Sequence, residues 1–187
     1  MNDSSSDEPN TESIKKILYL NDNSSKPVIG VGVLFYKKVG TKVMLLVVEA
    51  DAKYADIGGK INNNDSDIPS SLSRILEEIT NGVITYENGL INLKNAQYIY
   101  ISSEKYVIYF VEANSEEKKL IKEDFDNSDK KNGSFRKIGW KLREDLINEA
   151  TVKYKLNSRL KSKNVINTIS AIGKQISFTK TNLFKNN

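Results

Sequence analysis

Asp65, Glu77 and Glu78 are the carboxylates whose spacing could do chemistry, with Arg74 set among them and Glu112 further along the chain. If the residues after Asp67 form a helix, Ser73, Arg74, Glu77 and Glu78 share one face, opposite Leu72, Ile75, Leu76 and Ile79. The 187 residues include no histidine and no cysteine. Ser-His-Asp, Cys-His and histidine–metal chemistries are therefore excluded, as is a disulfide framework. What remains is carboxylate, lysine, tyrosine or serine chemistry, or Mg²⁺ or Mn²⁺ held by oxygen ligands. The same face also reads as a solvated one. Arg74 and Glu78 are an i,i+4 pair, worth roughly 0.2–0.5 kcal/mol on an exposed helix.

The elements that would position these residues follow from pattern. Residues 28–36 and 42–49 are apolar runs separated by Lys38-Val39-Gly40-Thr41, which predicts a hairpin whose second strand is buried on both faces. The short stretch 54–61 carries Gly58 and Gly59, and a polar loop follows over 62–66. A helix is expected to start near Pro69 with Asp67 as its cap, and to end at Asn81-Gly82. Two further strands are predicted over 97–101 and 105–111, joined by Ser102-Ser103-Glu104. Residues 115–134 read as a charged loop with a helical turn around 116–122. A last strand over 136–142 leads to a short helix over 143–148. The final helix begins near Asn164, with Val165, Ile166, Ile169 and Ile172 on one face. There is no internal repeat. Strands interleaved with helices predict an α/β domain.

The domain is expected over 27–176, preceded by a mostly disordered acidic and polar tail, 1–26, and followed by a basic tail, 177–187. Within the first of these tails Ile17-Leu18-Tyr19-Leu20 could dock as an added strand. No apolar run reaches the roughly 18–20 residues of a membrane span, and the N-terminus lacks the pattern of a secretory signal. These features predict a soluble, cytoplasmic protein without a membrane partner. No acidic side chain follows Glu149, whereas Lys153, Lys155, Arg159, Lys161, Lys163, Lys174, Lys180 and Lys185 do. Such a segment is either a solvated basic face or an attraction for a polyanion.

Two strands, a Gly-Gly segment, a short helix ending in paired glutamates, a second strand pair and a strand bearing Trp140 together resemble the Nudix hydrolases. The family's box runs Gly, five residues, Glu, seven residues, then Arg-Glu-apolar-any-Glu-Glu-any-Gly-apolar. Aligned without a gap from Gly59, it places Asp65 on the first Glu, Ser73-Arg74 on Arg-Glu, Glu77-Glu78 on the glutamate pair and Thr80 on the closing Gly. Setting Arg74 on the family's Arg instead requires one inserted residue and puts Ile75 and Ile79 on glutamate positions. The ungapped register keeps both glutamates and is preferred. The resemblance covers most of 27–175. It implies an α/β/α sandwich, a mixed sheet flanked by helices. It also implies that Mg or Mn would be held by Asp65, Glu77, Glu78 and Glu112 (or by Glu116 or Glu117 in the last place), with Glu77 and Glu78 as the catalytic carboxylates. Gly58, Gly59, Lys60 and Arg74 would then meet substrate phosphate.

Three functions are compatible with these residues. One is a metal-dependent pyrophosphohydrolase acting on a nucleoside diphosphate linked to another group, or on another diphosphate-containing small molecule. A second is an inactive descendant of that fold serving as a binding or assembly protein, in which Arg74 holds a phosphate where a metal once sat. The third is an RNA-directed, decapping-like hydrolase that uses the basic C-terminal segment, with Tyr98, Tyr100, Tyr106 and Tyr109 as stacking surfaces. Substrate and oligomeric state are not legible.

Overall fold

The structure, a computed structural model, describes residues 17–50, 53–85, 93, 96–113, 119–126, 137–148 and 155–173. The expectations placed on residues 1–16, Glu116, Glu117, Lys153, Lys174, Lys180, Lys185 and the basic end 177–187 lie outside these residues.

Strand β3 (Gly30–Val39) is the axis of the sheet. Its whole inner length, Gly30 to Tyr36, pairs in parallel with β8 (Tyr106–Glu112). On its other edge it is antiparallel first to β6 (Ile57–Lys60) and then to β4 (Lys42–Ala50). The turn between β3 and β4 is tight because Gly40 takes a left-handed φ of 60°. β4 continues the sheet through β5 (Lys53–Ala55) on one side and β9 (Lys137–Leu142) on the other, both antiparallel. β7 (Gln97–Ile101) closes one edge against β8, and the two-residue β10 (Lys155–Leu156) runs parallel to β5. Parallel and antiparallel pairs mix in a single eight-stranded sheet.

Period-two alternation sends successive side chains to opposite faces. Val31, Val33 and Phe35 of β3, with Val107, Tyr109 and Val111 of β8, meet helix α1 (Ile68–Thr80) through Leu72, Ile75 and Leu76. Leu34, Leu45, Val47, Ile108 and Phe110 face the other way. They meet α3 (Arg143–Ile147) and α4 (Lys163–Ala171) through Leu146, Val165 and Ile169. Arg143 donates to the Ile172 carbonyl and ties α3 to the end of α4. Each fully buried Leu or Ile contributes about 1.5–3 kcal/mol, so both layers are held mainly by apolar burial. The architecture is α/β, a mixed sheet with helices on both faces. Among the described residues no helix is long and apolar enough to cross a membrane.

A helical turn is present at 122–126 (α2), where Phe125 is buried and Trp140 Nε1 donates to the Leu120 carbonyl at 2.8 Å. The turn expected around 116–122 falls partly outside the described residues. The apolar patch at 17–20 does supply a strand, and the described residues 17–26 are held to the domain. Leu18–Tyr19 (β1) pair with Pro27–Val28 (β2), and Leu20 is buried in the core on the α1 side. Tyr98 and Tyr100 pin this segment, the first accepting from Asn21 Nδ2 and the second donating to the Pro27 carbonyl. Tyr106 and Tyr109 are buried. Tyr98 and Tyr100 are half-buried, so all four tyrosines contribute to packing.

Candidate functional site

Helix α1 begins where the sequence places its cap. Asp67 Oδ1 accepts from Ser70 N at 2.7 Å while Ser70 Oγ accepts from Asp67 N, a reciprocal capping box. Pro69 lies in the first turn, and the helix stops at Asn81, whose left-handed φ of 51° caps it. Thr80 Oγ1 donates to the Leu76 carbonyl and accepts from Ile84 N, fastening the chain that leaves the helix. The helix therefore presents 73, 74, 77 and 78 away from the core, as the spacing requires.

Arg74 dominates that face. Its Nε and Nη2 form a two-pronged pair with Asp65, at 2.9 Å to Oδ1 and 2.8 Å to Oδ2. Nη1 reaches both oxygens of Glu78 at 3.1 and 3.0 Å, and Nη2 also donates to the Lys60 carbonyl at 3.0 Å. Asp65 also accepts from Asn62 N at 2.8 Å, so the loop before α1 folds back on the same carboxylate. With 5% of its side chain exposed, Asp65 is held down to a pKa of about 2, first by the hydrogen bonds from Arg74 and then by the Asn62 amide, against the opposing effect of burial. The guanidinium is correspondingly raised by its two carboxylate partners, Asp65 foremost.

The other expected site residues divide by face. Glu77 and Glu78 are neighbours on the exposed side of α1. Glu112 is not with them. Val107, Tyr109 and Val111 of β8 face α1, so Glu112 points to the opposite side, beside Tyr36, whose phenol is raised by burial and by that carboxylate. Gly58 and Gly59 form no turn around phosphate. They lie within β6, paired with Gly32 and Val31. A Cβ on Gly58 would stand 1.9 Å from Tyr106 Oη and 2.5 Å from Asp56 Oδ2, so this glycine makes room for a buried side-chain cluster. Gly59 faces the other way and lets Ile75 of α1 pack close. Lys60 is exposed, and its carbonyl is the atom engaged, by Arg74.

The expected metal set does not fit Mg²⁺ or Mn²⁺. Both oxygens of Asp65 and of Glu78 face one guanidinium, Glu112 lies across the sheet, and Glu77 remains as a single exposed carboxylate. Among the described residues no group of three or more acidic side chains is placed to hold an ion. The three nitrogens of Arg74, expected to meet phosphate, make five hydrogen bonds within the protein.

Sequence reasoning missed Asp56, and with it the cluster that this carboxylate forms with Tyr106 and Arg159. Asp56 is buried with Oδ2 accepting from Tyr106 Oη at 2.7 Å, and Arg159 Nε is 3.2 Å from its Oδ1. Burial pushes the Asp56 carboxyl up, opposed by Arg159 and by the Tyr106 hydrogen bond. The available signal was an aspartate between Ala55 and Ile57 in an otherwise apolar stretch.

No family model matches the sequence, and no curated protein matches it significantly. Among solved structures, an Ap4A hydrolase from C. elegans aligns over 77% of this chain and 97% of its own, with 17% identity and a TM-score of 0.47. A binary complex of a C. elegans Ap4A hydrolase gives 76% and 96% coverage, 18% identity and 0.44. NrtR from Shewanella oneidensis, complexed with a 27mer DNA, covers 76% of this chain and 58% of its own, at 12% identity and 0.40.

Proposed function

We propose that this chain is a Nudix-like domain whose box helix is a closed structural element, and that it acts as a binding or assembly protein without metal-dependent hydrolysis. The observation that carries this is the engagement of every Arg74 nitrogen by Asp65, Glu78 and the Lys60 carbonyl. A metal ion at this face would have to displace a cation already held by two carboxylates, one of them nearly buried.

The geometry also favours one register of the resemblance. With Arg74 on the family's Arg, the side chain orients carboxylates as that residue is expected to, and Asn81 falls on the closing glycine with the left-handed backbone a glycine would supply. In that register Ile75 and Ile79 replace two glutamates. Ile75 is buried against the sheet, so it cannot take up a ligand's role.

The competing reading, a pyrophosphohydrolase acting on diphosphate-containing nucleotides, rests on the adjacent exposed pair Glu77 and Glu78. One experiment separates the two. The full chain is incubated with a panel of nucleoside diphosphate derivatives and Mg²⁺ or Mn²⁺, and release of phosphate-containing products is followed. No turnover above the rate of a heat-denatured control is expected. Metal-dependent turnover that a Glu77→Gln, Glu78→Gln double variant abolishes would refute the binding reading.

A further inference from the structure

On the face of the sheet away from α1, a second arginine is placed in a different way. Gly30, Gly32 and Gly58 form a floor without side chains. The Tyr106 ring and the Asp56 carboxylate occupy that space, where any Cβ would stand within 2.9 Å of them. Arg159 lies over this pair, its guanidinium carbon 4.3 Å from the Tyr106 ring centroid and its Nε 3.2 Å from Asp56 Oδ1. The turn that carries it, Ser158–Lys161, is itself fixed, since Asn157 Oδ1 accepts from Arg159 N and Asn157 N donates to the Tyr54 carbonyl. The side chain keeps 20% of its surface exposed. Among the described residues no acceptor meets Nη1 or Nη2.

The contrast with Arg74 is chemical. A guanidinium offers five N–H donors in a planar fork. Arg74 spends all of its nitrogens internally. Arg159 is anchored through stacking and through the charge behind its Nε, which leaves the two terminal nitrogens for a ligand. Such a group has already lost the conformational freedom that binding would otherwise cost, and its outward edge matches two oxygens of a phosphate.

We infer that Arg159 anchors a site for a phosphate group, recognised through Nη1 and Nη2, on the face of the sheet opposite the box helix. The surrounding charge agrees in sign. The described segment 155–173 contains no acidic residue and carries exposed Lys155, Lys161 and Lys163. Two acidic groups oppose: Asp56, 3.2 Å behind Nε, and Glu104, which is near enough to raise the Tyr106 phenol and whose Oε1 accepts from Ser158 Oγ at 3.0 Å. The inference does not rest on the reading of the box, which lies on the other face, and the two tests fail separately.

The full chain is titrated with inorganic phosphate and, separately, with AMP, by calorimetry and by amide chemical shifts at constant ionic strength set with chloride. Binding in the millimolar range is expected, with shifts centred on 104–106 and 157–161. Arg159→Gln should weaken it by about tenfold or more, the loss of one charge-assisted fork, and Glu104→Gln should strengthen it. Arg159→Lys, which keeps the charge without the fork, should fall between. If Arg159→Gln does not fold, the Lys and Glu104 variants carry the test. Equal affinity for the two ligands assigns recognition to the phosphate alone, and tighter AMP binding assigns it to a nucleotide. No binding of either ligand, or affinity unchanged in all three variants, overturns the site.

Discussion

Replacing Arg74 by alanine removes the guanidinium that grips both oxygens of Asp65, and its cost can be worked from the structure. Asp65 titrates at about 2 instead of its ordinary 3.8. At 1.36 kcal/mol per pKa unit, that difference is worth at most about 2.4 kcal/mol. Glu78 adds little, because 57% of its side chain is exposed and surface pairs contribute about 0–1 kcal/mol. The expected loss at pH 7 is therefore about 2 kcal/mol, or about 4–8 °C in Tm for a domain of this size. Urea denaturation at several pH values provides the assay. The folded-state pKa of Asp65 is depressed, so its stabilisation is fully present above 3.8 and disappears as pH falls towards 2. The gap between wild type and Arg74→Ala should close over that window and stay constant above it. A loss below about 0.5 kcal/mol, the level of an ordinary surface substitution, or a gap that does not change with pH, would show that the fork is not holding the loop.

Gly58→Ala and Gly59→Ala, adjacent in sequence, should differ sharply. The first drives a methyl group to within 1.9 Å of Tyr106 Oη and should cost more than about 3 kcal/mol, whereas the second, 3.4 Å from Ile75, should cost under about 1 kcal/mol in the same melts. Asp67→Ala removes the capping box of α1 and should lower stability by about 1 kcal/mol, with Asp67→Asn retaining most of it. Trp140→Phe leaves the Leu120 carbonyl without its donor and exchanges the indole under Lys37 Nζ for a smaller ring. Faster amide exchange over 119–126, with β3 and β8 unchanged, is the expected result.

Much of the fold was legible because the sequence signals were local. Pro69 after a capping aspartate, apolar residues at helical spacing and Asn81-Gly82 delimit α1 to within a residue or two. The hairpins 30–50 and 97–112 follow from apolar runs flanking Gly40 and Ser102-Ser103-Glu104. Long-range relations were not legible. The pair β1–β2 is tied to the sheet through the hydroxyls of Tyr98 and Tyr100, more than 70 positions away from their partners Asn21 and Pro27. The site was legible as a location and not as a set of partners. Spacing puts Arg74, Glu77 and Glu78 on one face, but whether Arg74 bonds Asp65 depends on a loop folding back nine positions earlier. That Glu112 lies beside Tyr36, on the face away from α1, follows from the pairing of β8 with β3, which the sequence does not display. Gly58 reads in sequence as a place where the backbone approaches phosphate, whereas in the fold Tyr106 Oη, Asp56 Oδ2 and the Gly32 backbone occupy the space a side chain would need.

Strand β6 is, over two residues, a partition one backbone thick. Gly59 lets the box helix rest on one surface, and Gly58 lets the Tyr106–Asp56–Arg159 stack rest on the other. Here a displacement of α1 has almost no compressible material to cross before it meets Asp56. An event that draws Arg74 outward, and with it the Lys60 carbonyl at the end of β6, would be felt at Arg159 with little loss. The two arginines, far apart in sequence, thus bear on opposite faces of one short strand.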